Sequence, residues 1–518
     1  MSSPPSSYEF LLLFFFLTLS LLQSCSLGAT TFRLDLHHRF SEPVKRWAEE
    51  RSLGGGFRPE DWPERGSVDY YAALAAQDRA VLGHRMMSFS EGNSTFQIRT
   101  LGFLHYTTVA LGMPSQTYMV ALDTGSDLFW VPCDCIRCAP TSSASYGFLQ
   151  NFELNIYSPN TSLTSKTILC TNSLCEAQRK CSGDSDVCPY KVAYVSSDTS
   201  SAGVLVEDVM YLTTEDSFHE VVNARVIFGC GQVQSGSFLD IAAPNGLLGL
   251  GMDKLSVPSI LSAAGLTTDS FSMCFGSDGV GRILFGDKGS PDQAVTPFNL
   301  RESHPTYYVN VTGLLVGTSV IDTTFSALFD TGTSFTYLAD PAYTLLSESF
   351  NSQARDKRHS PDSRIPFEYC YFRSPVENDS VIPSITLTMT GGGLFSVSEP
   401  VFLISTWVYC LAVVKSSSLN IIGQNYMTGQ RIVFDREKLV LGWKEFDCYA
   451  MEDSSTLPMN PENPTAPGSY SPEATKQTTN ESQVSVLPVP PILSYSSHVG
   501  SLFALTHLMA FLFLAAIL

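Results

Sequence analysis

The chain is poor in charge. Only 16% of its 518 residues are Asp, Glu, Lys or Arg, and acid outnumbers base by 50 to 31, for a net charge of −19. A polyphosphate ligand needs a basic face, so nucleic acid is excluded as a partner. Two hydrolase signatures are also missing. No Gly-x-Ser-x-Gly occurs, which excludes a nucleophile elbow. None of the nine histidines falls in His-Glu-x-x-His, the spacing that sets two imidazoles on one helix face around zinc. Long apolar runs are scarce as well. The two longest, Phe10–Leu22 and Leu502–Leu518, fall short of the roughly 20 residues that a membrane helix needs.

What is present is 44% hydrophobic residue with 36 Gly and 29 Pro, spread over a length that exceeds one core. That balance suits a strand-rich protein of two or more domains. The first apolar run, followed by small residues at Ser26 and Gly28, reads as a signal peptide over 1–28, although no Lys or Arg precedes it. A retained anchor is the alternative. Its removal takes Cys25 and leaves twelve cysteines, enough for up to six disulfides in an oxidising compartment. The cluster Cys133-x-Cys135-x-x-Cys138 has the look of a metal knuckle, but no His lies near it and bridges are expected instead of metal. Glycosylation sequons stand at Asn93, Asn160, Asn310, Asn378 and Asn480.

At the other end, residues 449–500 form a Ser/Thr/Pro-rich stalk too polar to bury a core, followed by the apolar tail 501–518. Stalk, small residues and apolar tail make the pattern of a GPI-anchor signal, with Asn480, Ser482 or Ser494 as attachment points. A short tail-anchored span is the alternative.

Chemistry enters with a repeat. VALDTGSDLFWVPC, residues 120–133, has a partner in FSALFDTGTSFTYL, residues 325–338, so that Asp123 and Asp330 stand one domain length apart. A lone Asp-Thr-Gly is usually a turn. Here each copy is trailed by an apolar-apolar-Gly element, Leu247-Leu248-Gly249 and Ile421-Ile422-Gly423. The segments YTTVALG, QTYMVALD, VVNARVIFG, GRILFGD, YYVNVTGLLVG and SITLTM, and the hairpin RIVFDREKLVLGW, read as strands between Gly, Pro and Asp turns. A short helix is expected in DPAYTLLSESF, opened by Pro341.

These motifs, in this order, resemble the pepsin-like aspartic proteases over residues 100–448, and the cysteine-rich insert after Trp130 resembles the plant, nepenthesin-type branch. The resemblance implies an all-β, bilobal fold with lobes at 100–300 and 301–448 and a cleft between them. It implies Asp123 and Asp330 as the dyad, with Ser126 and Thr333 bonding the outer carboxylate oxygens and Thr124 and Thr331 bracing the two loops. Gly125 and Gly332 would let backbone come close. Tyr194 matches the tyrosine of the flap, the hairpin that covers the cleft, with Val195 in place of a usual Gly.

Two close carboxyls share a proton and titrate as a pair, one as general base and one as general acid. The expectation is therefore an acid-pH endopeptidase, monomeric, acting on polypeptide substrates without cofactor or metal. It would be held at the outer face of the plasma membrane by its GPI anchor. A catalytically silent binding protein on the same fold is the alternative, disfavoured by two intact motifs. Residues 29–95 read as a propeptide, with maturation around 86–99. Positions 33–88 carry nine Lys/Arg and nine Asp/Glu, leaving the entire −19 to the rest. A hold by charge across the cleft, loosened by acid, is the expectation.

Overall fold

The computed structural model describes residues 30–448 apart from 52–61, 83–100, 140–153, 176–180, 182, 184–185, 195–198, 217, 241, 277–279, 301–305, 375–380 and 447. The expected signal peptide, stalk and tail, the positions Asn93, Asn378, Asn480, Ser482 and Ser494, and Val195 lie outside the described residues. Among the described residues no helix is long and apolar enough to cross a membrane. Asn160 is exposed in the short turn Pro159–Thr161, while Asn310 is half-buried.

The order begins with strand β1 (Phe32–His38), helices α1 (Glu42–Arg51) and α2 (Val68–Leu82), and strands β2 (His105–Leu111), β3 (Gln116–Asp123) and β4 (Trp130–Arg137). Three sheets follow, of fourteen, seven and four strands. β3 is apolar for five residues in succession because it lies inside the large sheet. It pairs antiparallel with β2 and parallel with Leu247–Gly249. In the second half Ser319–Phe329 repeats the arrangement, pairing parallel with Ile421–Ile422. The all-β, two-lobed expectation holds, and each expected strand forms, as does the helix Ala342–Gln353 behind Pro341.

Two connections exceed what was expected. The hairpin Gln430–Asp435/Val440–Glu445 leaves the second half and joins the large sheet, Met273 opposite Ile432. It is tied there by Cys274–Cys448 and by Arg436, which donates to the Gly251 carbonyl at 3.0 Å and to Ser256 Oγ at 3.1 Å. β1, from the N-terminal leader (residues 29–95, expected as a propeptide), is an interior strand of the same sheet, between β2 and Val280–Phe285.

The expected hold by charge is corrected here. Arg33–Glu215 at 3.8 Å and Asp69–Arg364 at 2.8 Å are ion pairs between leader and body, and the leader supplies the acid in the second. What holds the leader is strand pairing and apolar burial. Tyr70, Tyr71, Leu74 and Ala75 of α2 pack on Phe335, Phe367 and Ile404 of the second half. Desolvated aromatic area of this kind outweighs exposed ion pairs, which contribute about 0–1 kcal/mol each.

The twelve cysteines among the described residues pair as six disulfides. Cys133 joins Cys230 and Cys135 joins Cys138, so the suspected knuckle is two bridges.

Candidate active site

Both Asp-Thr-Gly turns sit where a strand ends beside a two- or three-residue parallel neighbour. Leu122 faces Leu248 and Asp123 faces Gly249; Leu328 faces Ile421 and Phe329 faces Ile422. The Leu250 N–H donates to the Asp123 carbonyl at 2.9 Å, and the Asp330 N–H donates to the Ile422 carbonyl at 3.1 Å. The apolar-apolar-Gly elements are therefore the supports of the two Asp loops. Glycine is required in them by close approach. A Cβ on Gly249 would stand 2.3 Å from the Asp127 backbone, and one on Gly423 would stand 2.1 Å from the Phe335 carbonyl oxygen.

The two carboxyl groups have matching surroundings. Asp123 accepts from the Gly125 N–H at 2.9 Å and from Ser126 Oγ at 2.6 Å. Asp330 accepts from the Gly332 N–H at 2.8 Å and from Thr333 Oγ1 at 2.6 Å. Between the loops, Thr124 Oγ1 and Thr331 Oγ1 lie 3.3 Å apart and share a hydrogen bond, and the Thr331 N–H donates to Thr124 Oγ1 at 3.4 Å. A Cβ on Gly125 or Gly332 would press the carboxylate of its own loop, at 3.1 and 3.2 Å. All eight of the residues expected at the dyad are brought together.

Burial dominates the electrostatics. Desolvation pushes Asp123 up to about 6 against the Ser126 hydrogen bond, and the charge of Asp330 adds to the rise. Asp330 is raised by burial too, with Thr333 and Gly332 opposing. Two carboxyls whose ionisation is disfavoured in common hold one proton between them over a pH range that a single exposed Asp does not reach.

Tyr194 is half-buried on the approach to this pair. Its hydroxyl accepts from Trp130 Nε1 at 2.8 Å, its ring meets Phe238 edge-on at 5.1 Å, and it feels the charge of Asp123. The flap tip around Val195 lies outside the described residues.

Two further contacts had no sequence expectation behind them. Trp130 is wholly buried and anchors Tyr194. The signal that could have found it is its place in the first motif, seven residues after Asp123. Asp78, on α2, accepts from the Ser334 N–H at 2.8 Å, the Phe335 N–H at 3.2 Å and the Tyr337 hydroxyl at 2.9 Å. It thus caps the segment that follows Thr333. Full burial pushes Asp78 up to about 7 in spite of these donors. No motif marks it, because its partners lie 256 to 259 positions away.

Residues 105–287 match the family model described as xylanase inhibitor N-terminal, and residues 306–445 match xylanase inhibitor C-terminal. "Aspartyl protease family protein 1" of Arabidopsis thaliana is 51% identical over 464 residues, covering 86% of this chain and 88% of that protein. "Aspartic proteinase-like protein 1" of the same plant is 38% identical over 441 residues, covering 81% and 82%. Nepenthesin-1 of Nepenthes gracilis is 27% identical, covering 66% of this chain and 77% of its own. Among solved structures, conglutin gamma from lupine seeds has a TM-score of 0.53 at 19% identity, covering 67% of this chain and 92% of that one. The basic 7S globulin of soybean has a TM-score of 0.52 at 19% identity, covering 68% and 93%. At that identity the likeness speaks for the fold alone. On sequence and fold together, this chain belongs to the plant pepsin-like aspartic protease family.

Proposed function

We propose that this protein is an aspartic endopeptidase working at acid pH, with Asp123 and Asp330 as its catalytic pair. The observation that carries the reading is the matched bonding of the two carboxyls by Gly125 with Ser126 and by Gly332 with Thr333. With one proton between them, the ionised carboxyl takes a proton from a water as that water attacks the scissile carbonyl. The protonated one gives its proton to the carbonyl oxygen. The tetrahedral intermediate then collapses as the amine leaves with a proton returned from the pair. Donors on the outer oxygens keep the two carboxyls facing inward, and the Thr124–Thr331 bond keeps the loops in register. The chemistry asks for no metal or cofactor. Tyr194, braced by Trp130, covers the substrate on the first-half side. Polypeptides with bulky apolar residues at the scissile bond are the expected substrates.

The leader supports a latent form, since β1 is paired into the large sheet and α2 lies against the second Asp loop through Asp78. The same reading puts the protein in the secretory pathway and at the outer face of the plasma membrane through a GPI anchor; release from membranes by phosphatidylinositol-specific phospholipase C tests that. Retention after treatment favours a membrane span.

A second reading, a silent binding protein, draws support from the xylanase-inhibitor descriptions of the matching family models. Digestion of a denatured protein near pH 4, with and without a pepstatin-type inhibitor, separates the two. Inhibitor-sensitive cleavage supports the protease, and its absence from protein freed of its leader supports the binder.

A further inference from the structure

Four cysteines of the insert after Trp130 crowd one spot. Cys170 is bridged to Cys181, and Cys175 to Cys188. The Sγ atoms of Cys170, Cys175 and Cys181 nevertheless all lie within 4.8 Å of one another, so the two bridges run side by side. Sulfurs at that range are placed for thiol–disulfide exchange, in which a thiolate attacks one sulfur of a bridge and expels the other. Access differs across the group. Cys170, Cys175 and Cys188 are 6%, 2% and 0% exposed, whereas Cys181 is only partly buried.

The second bridge ends at the root of the hairpin that carries Tyr194. Cys188 lies between two other strand segments. Its N–H donates to the Ile168 carbonyl at 2.8 Å, and its carbonyl accepts from the Leu205 N–H at 2.9 Å. Pro189–Ala193 follows at once, pairs with residues 200–204 and leads into Tyr194, whose N–H donates to the Thr199 carbonyl at 2.9 Å. Cys175, at the other end of the bridge, closes a turn by donating its N–H to the Asn172 carbonyl at 2.9 Å. Lys254 Nζ donates to the Ser173 carbonyl of that turn at 3.0 Å. Cys175–Cys188 therefore ties the root of the hairpin to a turn anchored on the first half.

We infer that the insert is a thiol-exchange site. A low-molecular-weight thiol such as glutathione adds at Cys181, and the bridge then moves to Cys170–Cys175, which frees Cys188 and slackens the hairpin that carries Tyr194.

The steps balance without an outside oxidant. The incoming thiolate attacks Cys181 Sγ, the bond to Cys170 breaks, and Cys181 keeps the thiol as a mixed disulfide. Cys170 leaves as a thiolate among apolar neighbours, where a charge is costly. It attacks Cys175 Sγ, the sulfur of the second bridge that belongs to the close trio. Cys170–Cys175 forms and Cys188 is expelled. Cys188 takes up the proton that the incoming thiol gave up, with the Pro189 carbonyl oxygen 3.8 Å from its Sγ as an acceptor. The number of S–S bonds is the same before and after. The glutathione pool of the secretory pathway is a source of such a thiol. Cys133–Cys230, Cys274–Cys448 and Cys370–Cys410 stay outside this path, since all six of those residues are at most 3% exposed.

Peptide mapping by mass spectrometry tests this on the full chain, held near neutral pH with and without millimolar glutathione and quenched with N-ethylmaleimide. Glutathione should appear on Cys181, a cross-link between Cys170 and Cys175, and the maleimide on Cys188, with the three buried bridges intact. Amide exchange in Pro189–Ala193 and in 200–204 should then rise by about fivefold or more, while Tyr308–Val316 stays as it was. Neither readout depends on protease activity. In a Cys170→Ser, Cys181→Ser form, glutathione should leave Cys175–Cys188 closed and the exchange of the hairpin unmoved. The mapping needs no variant, so it decides the matter even where that form does not fold. A free thiol at Cys170 beside an intact Cys175–Cys188, or an unmodified Cys181, would overturn the proposal. So would opening of Cys274–Cys448 in step with the insert, or a hairpin whose exchange does not change once the bridge has moved.

Discussion

A carboxylate that must lose and regain a proton during each turnover is tuned by what touches its oxygens. Ser126 Oγ, 2.6 Å from Asp123, stabilises the charged form against the desolvation that raises it. Ser126→Ala should therefore raise the Asp123 value further and move the acid limb of the kcat/KM profile upward by about half to one pH unit. A limb that stays in place would show that Ser126 does not bond the ionised group during catalysis. Asp78 offers a second test at this scale. Asp78→Ala strands the Ser334 and Phe335 N–H groups in a buried place, each at a cost of about 1–3 kcal/mol. The α2 helix should then exchange its amides faster at neutral pH than in the unmodified protein, with Tyr308–Val316 unaffected. The same loss with the conservative Asp78→Asn, which retains one acceptor, should be smaller.

At the level of elements, the two supports behind the Asp loops are the least tolerant parts of the site. Gly423→Ala puts a methyl 2.1 Å from the Phe335 carbonyl oxygen and Gly249→Ala puts one 2.3 Å from Asp127 backbone, so strand ends and not flexible side chains must move. Each should lower stability by about 1–3 kcal/mol or more and be read as a fall in Tm together with loss of activity. Gly265→Ala, where nothing lies within 4 Å, is a control for the substitution itself, with the strain of its positive φ included. These supports are legible in the amino-acid sequence, because Leu-Leu-Gly and Ile-Ile-Gly each combine a two-sided apolar strand with a residue lacking Cβ. The two Asp loops and the hydroxyls of Ser126 and Thr333 are marked by the repeated motif and its family resemblance, and the structure sets those hydroxyls on the two carboxyls. The placement of α2 is not marked in this way. Its sequence DYYAALAAQD is apolar on several faces, and both its aromatic contacts and the partners of Asp78 lie hundreds of residues away. The charge balance of the leader points to ion pairs, whereas strand pairing and aromatic burial decide its position.

Across the whole molecule, the return of the C-terminal hairpin to the large sheet makes the two halves one folding problem. Strand Ser270–Phe275 has the leader's neighbour Val280–Phe285 on one side and Gln430–Asp435 on the other. Cys274–Cys448 closes a loop of 174 residues around that junction. Replacing both cysteines by serine should cost about 2–5 kcal/mol, seen as a lower denaturation midpoint and poor recovery of secreted protein. An unchanged midpoint would mean that strand pairing holds the hairpin Gln430–Asp435/Val440–Glu445 without the bridge. The large sheet thus carries the first Asp loop, the leader strand and the chain's closing hairpin, and the second Asp loop reaches the first through the Thr124–Thr331 bond.

The proposed mechanism stands on Asp123 and Asp330 acting as one proton-sharing pair. Its most direct test is the rate of cleavage of a denatured protein near pH 4 by the leader-free protein, its Asp123→Asn form and its Asp330→Asn form. Each single replacement should lower the rate by about 100-fold to 10,000-fold, and the double replacement should lose little more, because half a pair does not work. Cleavage that survives undiminished in either single variant would show that the two carboxyls do not act as a pair.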